Sequence, residues 1–117
     1  MNTTLVISFT IDGLHSWPNA PKQYEEFSHP HRHLFKFICW GVTKDSSDPN
    51  RREKELWGLR QEAIECIGNE FVIADSGQDI CNFLGMSCEG IADWLKNEMG
   101  FSKVFCGEEW FLGAIVS

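Results

Sequence analysis

The chain reads as α+β: a four-stranded antiparallel sheet with two helices on one face, in the order strand, strand, helix, helix, strand, strand. Three observations predict this. Apolar residues alternate with polar ones near the start, which is the period of a half-buried strand. Two later segments space their apolar residues three and four apart and carry helix start and stop signals. Two short strand-like runs then close the sequence around a turn. Segregating two helices onto one face of an antiparallel sheet is the economical way to bury such a set, and 117 residues fit one domain, taken as 1–117.

The elements follow in order. Leu5, Ile7, Phe9 and Ile11 alternate with Thr4, Val6, Ser8 and Thr10, and Asp12-Gly13 is expected to break this first strand. From Trp17 to Pro30 the chain holds Pro18, Pro21 and Pro30 with Asn19 and Ser28, which is loop chemistry. A second strand is expected from about Arg32 to Val42, rich in aromatic and β-branched residues. Lys44 to Asn50 reads as a turn. Asn50 and Glu53 have the spacing of a capping box, so a helix is expected from Pro49 and Asn50, with Leu56, Leu59, Ala63 and Ile67 as its apolar stripe and Gly68 as its stop.

Asn69 to Gly85 carries mixed signals and yields no assignment. Ser87 is placed to cap a second helix with Ile91, Trp94 and Leu95 facing inward, ended by Gly100. Lys103 to Cys106 and Trp110 to Val116 then form a hairpin around Gly107-Glu108-Glu109. The last strand has little Lys or Pro to guard its edge, and such an edge invites pairing with another subunit. A closed homo-oligomer is the symmetric way to satisfy it.

Charge and cysteine usage narrow the function classes. The formal net charge is −7, and the basic residues are scattered apart from Arg51-Arg52. No basic patch is present to neutralise phosphates, so a nucleic-acid partner is not expected. The five cysteines never form a Cys-x-x-Cys pair, which excludes a Cys-rich zinc ribbon and argues against a disulfide framework. Met1 to Thr4 do not resemble a signal peptide, and no apolar run spans a bilayer. A cytoplasmic protein with no membrane partner is expected.

The chemistry concentrates in the histidines. All four lie between positions 15 and 33. His31 and His33 are two apart at the entry to a strand, so both imidazoles project from one face. If the first two strands pair antiparallel, His15 comes near the start of the second. Three imidazoles with an open fourth position is a catalytic-type zinc geometry, so His15, His31 and His33 are the expected Zn2+ ligands. His29 is an alternative third ligand, although Pro30 disturbs the alternation there.

These motifs resemble the tetrahydropterin synthases of the T-fold superfamily, the 6-pyruvoyl- and 6-carboxy-tetrahydropterin synthases. Phe9-Thr10-Ile11-Asp12-Gly13-Leu14-His15 and His31-Arg32-His33-Leu34-Phe35 are similar to the family's first strand, lone His, and His-x-His followed by an aromatic strand. Glu55 to Arg60, Ser87-Cys88-Glu89 and Val104 to Glu108 resemble later family motifs, so the similarity spans nearly the whole chain. It implies a T-fold of ββααββ order that oligomerises through its sheet edges, with pockets between subunits. It also implies a pterin or purine-type small molecule whose amino-pyrimidine edge is held by Glu108, with Glu89 a second ligand-binding candidate. By composition Glu109 is an equal candidate to Glu108, and Glu89 equally suits the first turn of a helix.

The chain departs from the family at two places. No cysteine precedes His31 in Tyr24 to Pro30, and no Asp-His pair lies between the helices, where only Asp75 or Asp79 remains. Without these groups the usual proton transfers lose their actors. Glu25, Glu26, His29 or an approaching Cys81 are the available substitutes. The resemblance therefore implies a divergent member with altered or lost lyase activity. The alternatives are a sequestration protein for a purine nucleotide signal and a zinc hydrolase of a small nucleotide.

Overall fold

The computed structural model describes residues 3–41, 48–72, 80–109 and 111–117. The expected end of the second strand at Val42, the start of the last at Trp110, and Asp75 and Asp79 lie outside them. Among the described residues the chain forms β1 (Val6–His15), a 3-10 segment (Lys22–Ser28), β2 (His31–Trp40), α1 (Pro49–Phe71), β3 (Cys81–Asn82), α2 (Cys88–Met99), β4 (Lys103–Glu108) and β5 (Leu112–Val116). The strands lie in the order β3-β1-β2-β4-β5. The α+β class is as expected. The four-stranded antiparallel ββααββ arrangement is not: the sheet is mixed and five-stranded, because β3 enters between the helices and runs parallel to β1 through Gly13 and Leu14.

The period-two pattern decides which face is buried. Ile7, Phe9 and Ile11 stand opposite Cys39, Phe37 and Phe35. Phe37 and Cys39 stand opposite Cys106 and Val104. All of these are buried. Both helices press on this one face and share its core: α1 through Ala63 and Ile67, α2 through Ile91, Ala92 and Leu95. Three fully buried phenylalanines, Phe35, Phe37 and Phe83, anchor it, each worth roughly 1.5–3 kcal/mol of burial.

The helix ends follow cap chemistry, with two corrections. Ser87 caps α2 by accepting from the Gly90 amide at 3.1 Å, and Gly100 ends it in the left-handed region at φ 73°, both as expected. For α1 the cap is Asp48 rather than Asn50. Its carboxylate accepts from the Asn50 amide at 3.0 Å, and Pro49 takes the first helical position, where its missing N–H costs nothing. Gly68 does not stop α1, which runs on to Phe71.

A third correction bears on the site. Asp12-Gly13 does not break β1, which continues to His15. Gly13 is needed there for space: a Cβ at this position would lie 2.7 Å from Phe83 Cε2 and 3.0 Å from Phe35 Cδ2. Gly13→Ala should therefore destabilise the fold by about 1–3 kcal/mol, because the buried Phe83 ring has nowhere to move. A lower urea midpoint at unchanged m value is the expected result.

Candidate metal centre

The row of core residues does not end with the core. Continuing along the same face, Gly13 stands opposite His33 and His15 opposite His31. On the other side of β2, Phe35 stands opposite Glu108. Strand alternation thus carries His15, His31, His33 and Glu108 onto the end of the buried face. One side-chain nitrogen or carboxylate oxygen from each lies within 4.8 Å of all the others. Tetrahedral zinc with ligand bonds near 2.0–2.1 Å sets its donors about 3.4 Å apart, a difference that small side-chain rotations close.

Each histidine's outer nitrogen decides what its inner one can do. His15 Nδ1 lies 3.0 Å from the Met86 carbonyl, and His31 Nδ1 lies 3.0 Å from the His29 carbonyl. A carbonyl only accepts, so both Nδ1 atoms carry the proton and both neutral rings keep Nε2 as a lone pair. Such backbone acceptors fix the tautomer of metal-binding imidazoles.

His15 gives the clearest sign. Its ring is buried, and Nε2 lies 2.9 Å from Glu108 Oε1 without making a hydrogen bond. With His15 neutral, two acceptors face each other at that distance, an arrangement that a shared proton or a bound metal cation relieves. Glu108 Oε2 also lies 3.5 Å from His33 Nε2. The donor set, three imidazole nitrogens and one carboxylate, suits zinc.

Burial holds the His33 imidazole below its ordinary pKa of 6.5, against the opposing pull of the Glu108 charge. The sign is that the neutral, ligating form persists to lower pH than in a free imidazole. Protons still compete at every ligand. Metal affinity should be nearly flat above about pH 7 and fall below about pH 6 by roughly tenfold per pH unit for each imidazole that must lose a proton. In the metal-free fold, the lowered pKa makes stability decline as pH drops through 6.5, because the unfolded chain takes up the proton more readily. Competition titrations with a zinc chelator from pH 5 to 8 read the first effect.

A cavity of about 410 Å³ opens beside the cluster, within the usual size of small-molecule sites. His15, His31 and Glu108 stand on its rim. Trp17 and Phe27 form one wall, Gly85 to Glu89 at the start of α2 another, and Leu112 to Ala114 of β5 a third.

The sequence-derived candidates divide accordingly. His15, His31, His33 and Glu108 come together, and Glu89 lines the cavity. Glu109 does not join them: it sits exposed in the turn after β4 at φ 56°. His29 contributes its carbonyl rather than its ring. Glu25 and Glu26 are exposed in the 3-10 segment, and Cys81 packs in the core. Sequence reasoning missed Cys88, a residue of the cavity lining whose buried thiol accepts a hydrogen bond from the free thiol of Cys106. Its position directly after the capping Ser87 was the available signal. It also treated Glu108 as a ligand anchor alone, because the hairpin register that aims it at the histidines depends on pairing. Arg32, between the two clustered histidines, points to the opposite face and grips Asp12 through both carboxylate oxygens. That contact holds the Asp12 carboxyl below its usual range.

No protein-family model matches this chain, and no curated protein matches it. Among the described residues, no helix is long and apolar enough to cross a membrane.

Proposed function

We propose that the chain is a divergent tetrahydropterin-synthase-like protein of T-fold type that holds Zn2+ on His15, His31 and His33, with Glu108 as a fourth or exchangeable donor. It binds a flat pterin or purine-type small molecule in the adjoining cavity. The observation that carries this reading is the buried, unpartnered His15 Nε2 facing a carboxylate at the rim of that cavity. Zinc, when bound, supplies a Lewis acid that polarises a ligand oxygen. The chain's own groups do the rest. Glu89 accepts N–H donors from the ligand edge, and Glu108 does the same whenever it leaves the metal; a carboxylate can take two parallel donors at once.

Binding without turnover is the leading form of this proposal, since the family's cysteine and Asp-His pair have no counterparts at their usual places. Cys88 favours a second form, a zinc-dependent lyase in which a thiol in the cavity moves the proton. The proposal also includes a homo-oligomer that completes the cavity through β5. The exposed Phe111, Leu112 and Ile115 at that edge support it.

The test is metal analysis of the purified protein together with calorimetric titration of pterin and guanosine into zinc-loaded and chelator-stripped samples. About one zinc per chain and metal-dependent binding of either compound are expected. Absence of metal after zinc loading would overturn the proposal. Turnover of a dihydropterin by the loaded protein, lost in Cys88→Ala, would select the lyase form.

A further inference from the structure

The β1–β2 connection exposes more aromatic surface than a loop needs. Trp17, Tyr24 and Phe27 are 46%, 43% and 41% exposed, yet they are held in a fixed stack. Trp17 and Tyr24 lie nearly parallel, with ring centroids 5.7 Å apart and 24° between planes. Phe27 stands 6.5 Å from Tyr24 and meets the edge of His31 at 5.7 Å. The chain of rings therefore runs from solvent to a metal-facing histidine.

Backbone hydrogen bonds brace this wall. The Trp17 amide donates to the Phe27 carbonyl at 2.8 Å and closes the loop on itself. Within it, the Tyr24 amide donates to Pro21 and the Ser28 hydroxyl to Glu25. The loop is also tied to the turn before α2. The Ser16 amide donates to Leu84 at 2.8 Å, and Pro18 sits so close to Gly85 that a Cβ there would lie 3.0 Å from its ring. Trp17 and Phe27 line the cavity, whereas Tyr24 does not. Tyr24 stacks on Trp17 without lining the cavity itself, while Trp17 contributes to the cavity wall.

We infer that Trp17 and Phe27 are the specificity-determining platform of the site: they stack the ring of a planar, bicyclic nitrogen heterocycle whose polar edge reaches the Glu89 carboxylate and the metal cluster. Tyr24 is a positioning residue that braces Trp17. The inference rests on the proposed function and adds to it how the ligand is chosen. Stacking rewards any flat π system, while the carboxylates reward N–H donors on its edge. A ligand with both satisfies the whole cavity, and a sugar, an amino acid or a free phosphate does not.

The experiment titrates zinc-loaded wild type, Trp17→Ala, Trp17→Phe, Phe27→Ala, Tyr24→Ala and Tyr24→Phe with two probes. Pterin carries both the ring and the donor edge; acetohydroxamate binds zinc and carries no ring. Trp17→Ala and Phe27→Ala should each weaken pterin roughly ten- to a hundredfold, the scale of lost base–aromatic stacking. Trp17→Phe should recover much of the loss. Tyr24→Ala should weaken pterin less, and Tyr24→Phe should leave it unchanged. Zinc content and acetohydroxamate affinity should hold in the Trp17 and Tyr24 variants, and Phe27→Ala is titrated at saturating zinc because its ring also meets His31. The quenching of pterin fluorescence on binding should disappear in Trp17→Ala.

Three results overturn the inference. If wild type binds pterin and the alanine variants bind it equally, the platform falls while the proposed function stands. If wild type with full zinc binds neither pterin nor guanosine, both fall together. If the alanine variants instead lower the molar mass by light scattering while pterin binding is unchanged, the aromatic wall is a contact between copies of the chain.

Discussion

Replacing His31 and His33 together by alanine should abolish the proposed metal binding and, with it, the thermal stabilisation that added zinc gives the chain. The two side chains stand side by side on β2 and supply two of the four donors. With only His15 and Glu108 left, no chelate of useful affinity remains at neutral pH. A metal at a thousandfold excess over its dissociation constant contributes about 4 kcal/mol to the folded state. For a domain of this size that is on the order of 15 °C in Tm. The measurement pairs metal analysis with melting curves, with and without added zinc. Wild type should rise on adding zinc, and the variant should not. The metal-free Tm values of the two proteins should lie close together, because both histidines are only partly buried and lie outside the packed core. A variant that keeps one zinc per chain would show that the ion sits elsewhere.

The second large effect is expected at Phe35, the residue that joins core and site. Its ring is fully buried, meets His15 edge-on at 5.1 Å and His33 at 5.9 Å, and packs on Phe83 at 5.0 Å. Phe35→Ala should cost about 3–5 kcal/mol of stability through the cavity it leaves. It should also weaken zinc binding by the folded protein, since two ligand rings lose their support. Phe37→Ala is the matching control. Phe37 is equally buried and stacks on Phe9 at 5.1 Å, but it stands one step further from the histidines along β2. It should cost as much stability and leave the zinc affinity of the folded fraction nearly unchanged. Urea unfolding gives the first quantity and chelator competition below the transition gives the second. Equal losses of zinc affinity in both variants would show that the site senses global stability rather than Phe35.

Much of this arrangement is legible in the sequence alone, and what is legible has a period. Alternation in β1 and β2 indicated strands, and the two-residue step from His31 to His33 placed both on one face. Ser87 and Gly100 marked α2 because cap chemistry is local. What was missed depended on distant partners. Gly13 looked like a break because the ring that requires it, Phe83, is seventy positions away in sequence. A two-residue strand such as β3 has no period to read, and it changed the sheet from antiparallel to mixed. Asp48 and Asn50 are both competent caps, and only the helical geometry of Pro49 separated them. Glu108 and Glu109 differ only in register: β4 sets Glu108 opposite Phe35, which turns its carboxylate to the histidines and leaves Glu109 in the turn.

The shared row of the sheet has a consequence for how this sequence tolerates insertions and deletions. A point substitution in β2 affects one site, but adding or removing one residue between His33 and Phe35 inverts half the strand. Either the phenylalanines leave the core or the imidazoles move to the face now held by Arg32. A one-residue frame change therefore cannot trade metal binding for folding, because either solution loses one of them. Changes of two residues keep the parity, and a loop such as Trp17 to Pro30 can change length without touching it. Length variation that preserves the centre is thereby confined to the connections, and the aromatic wall lies in one of them.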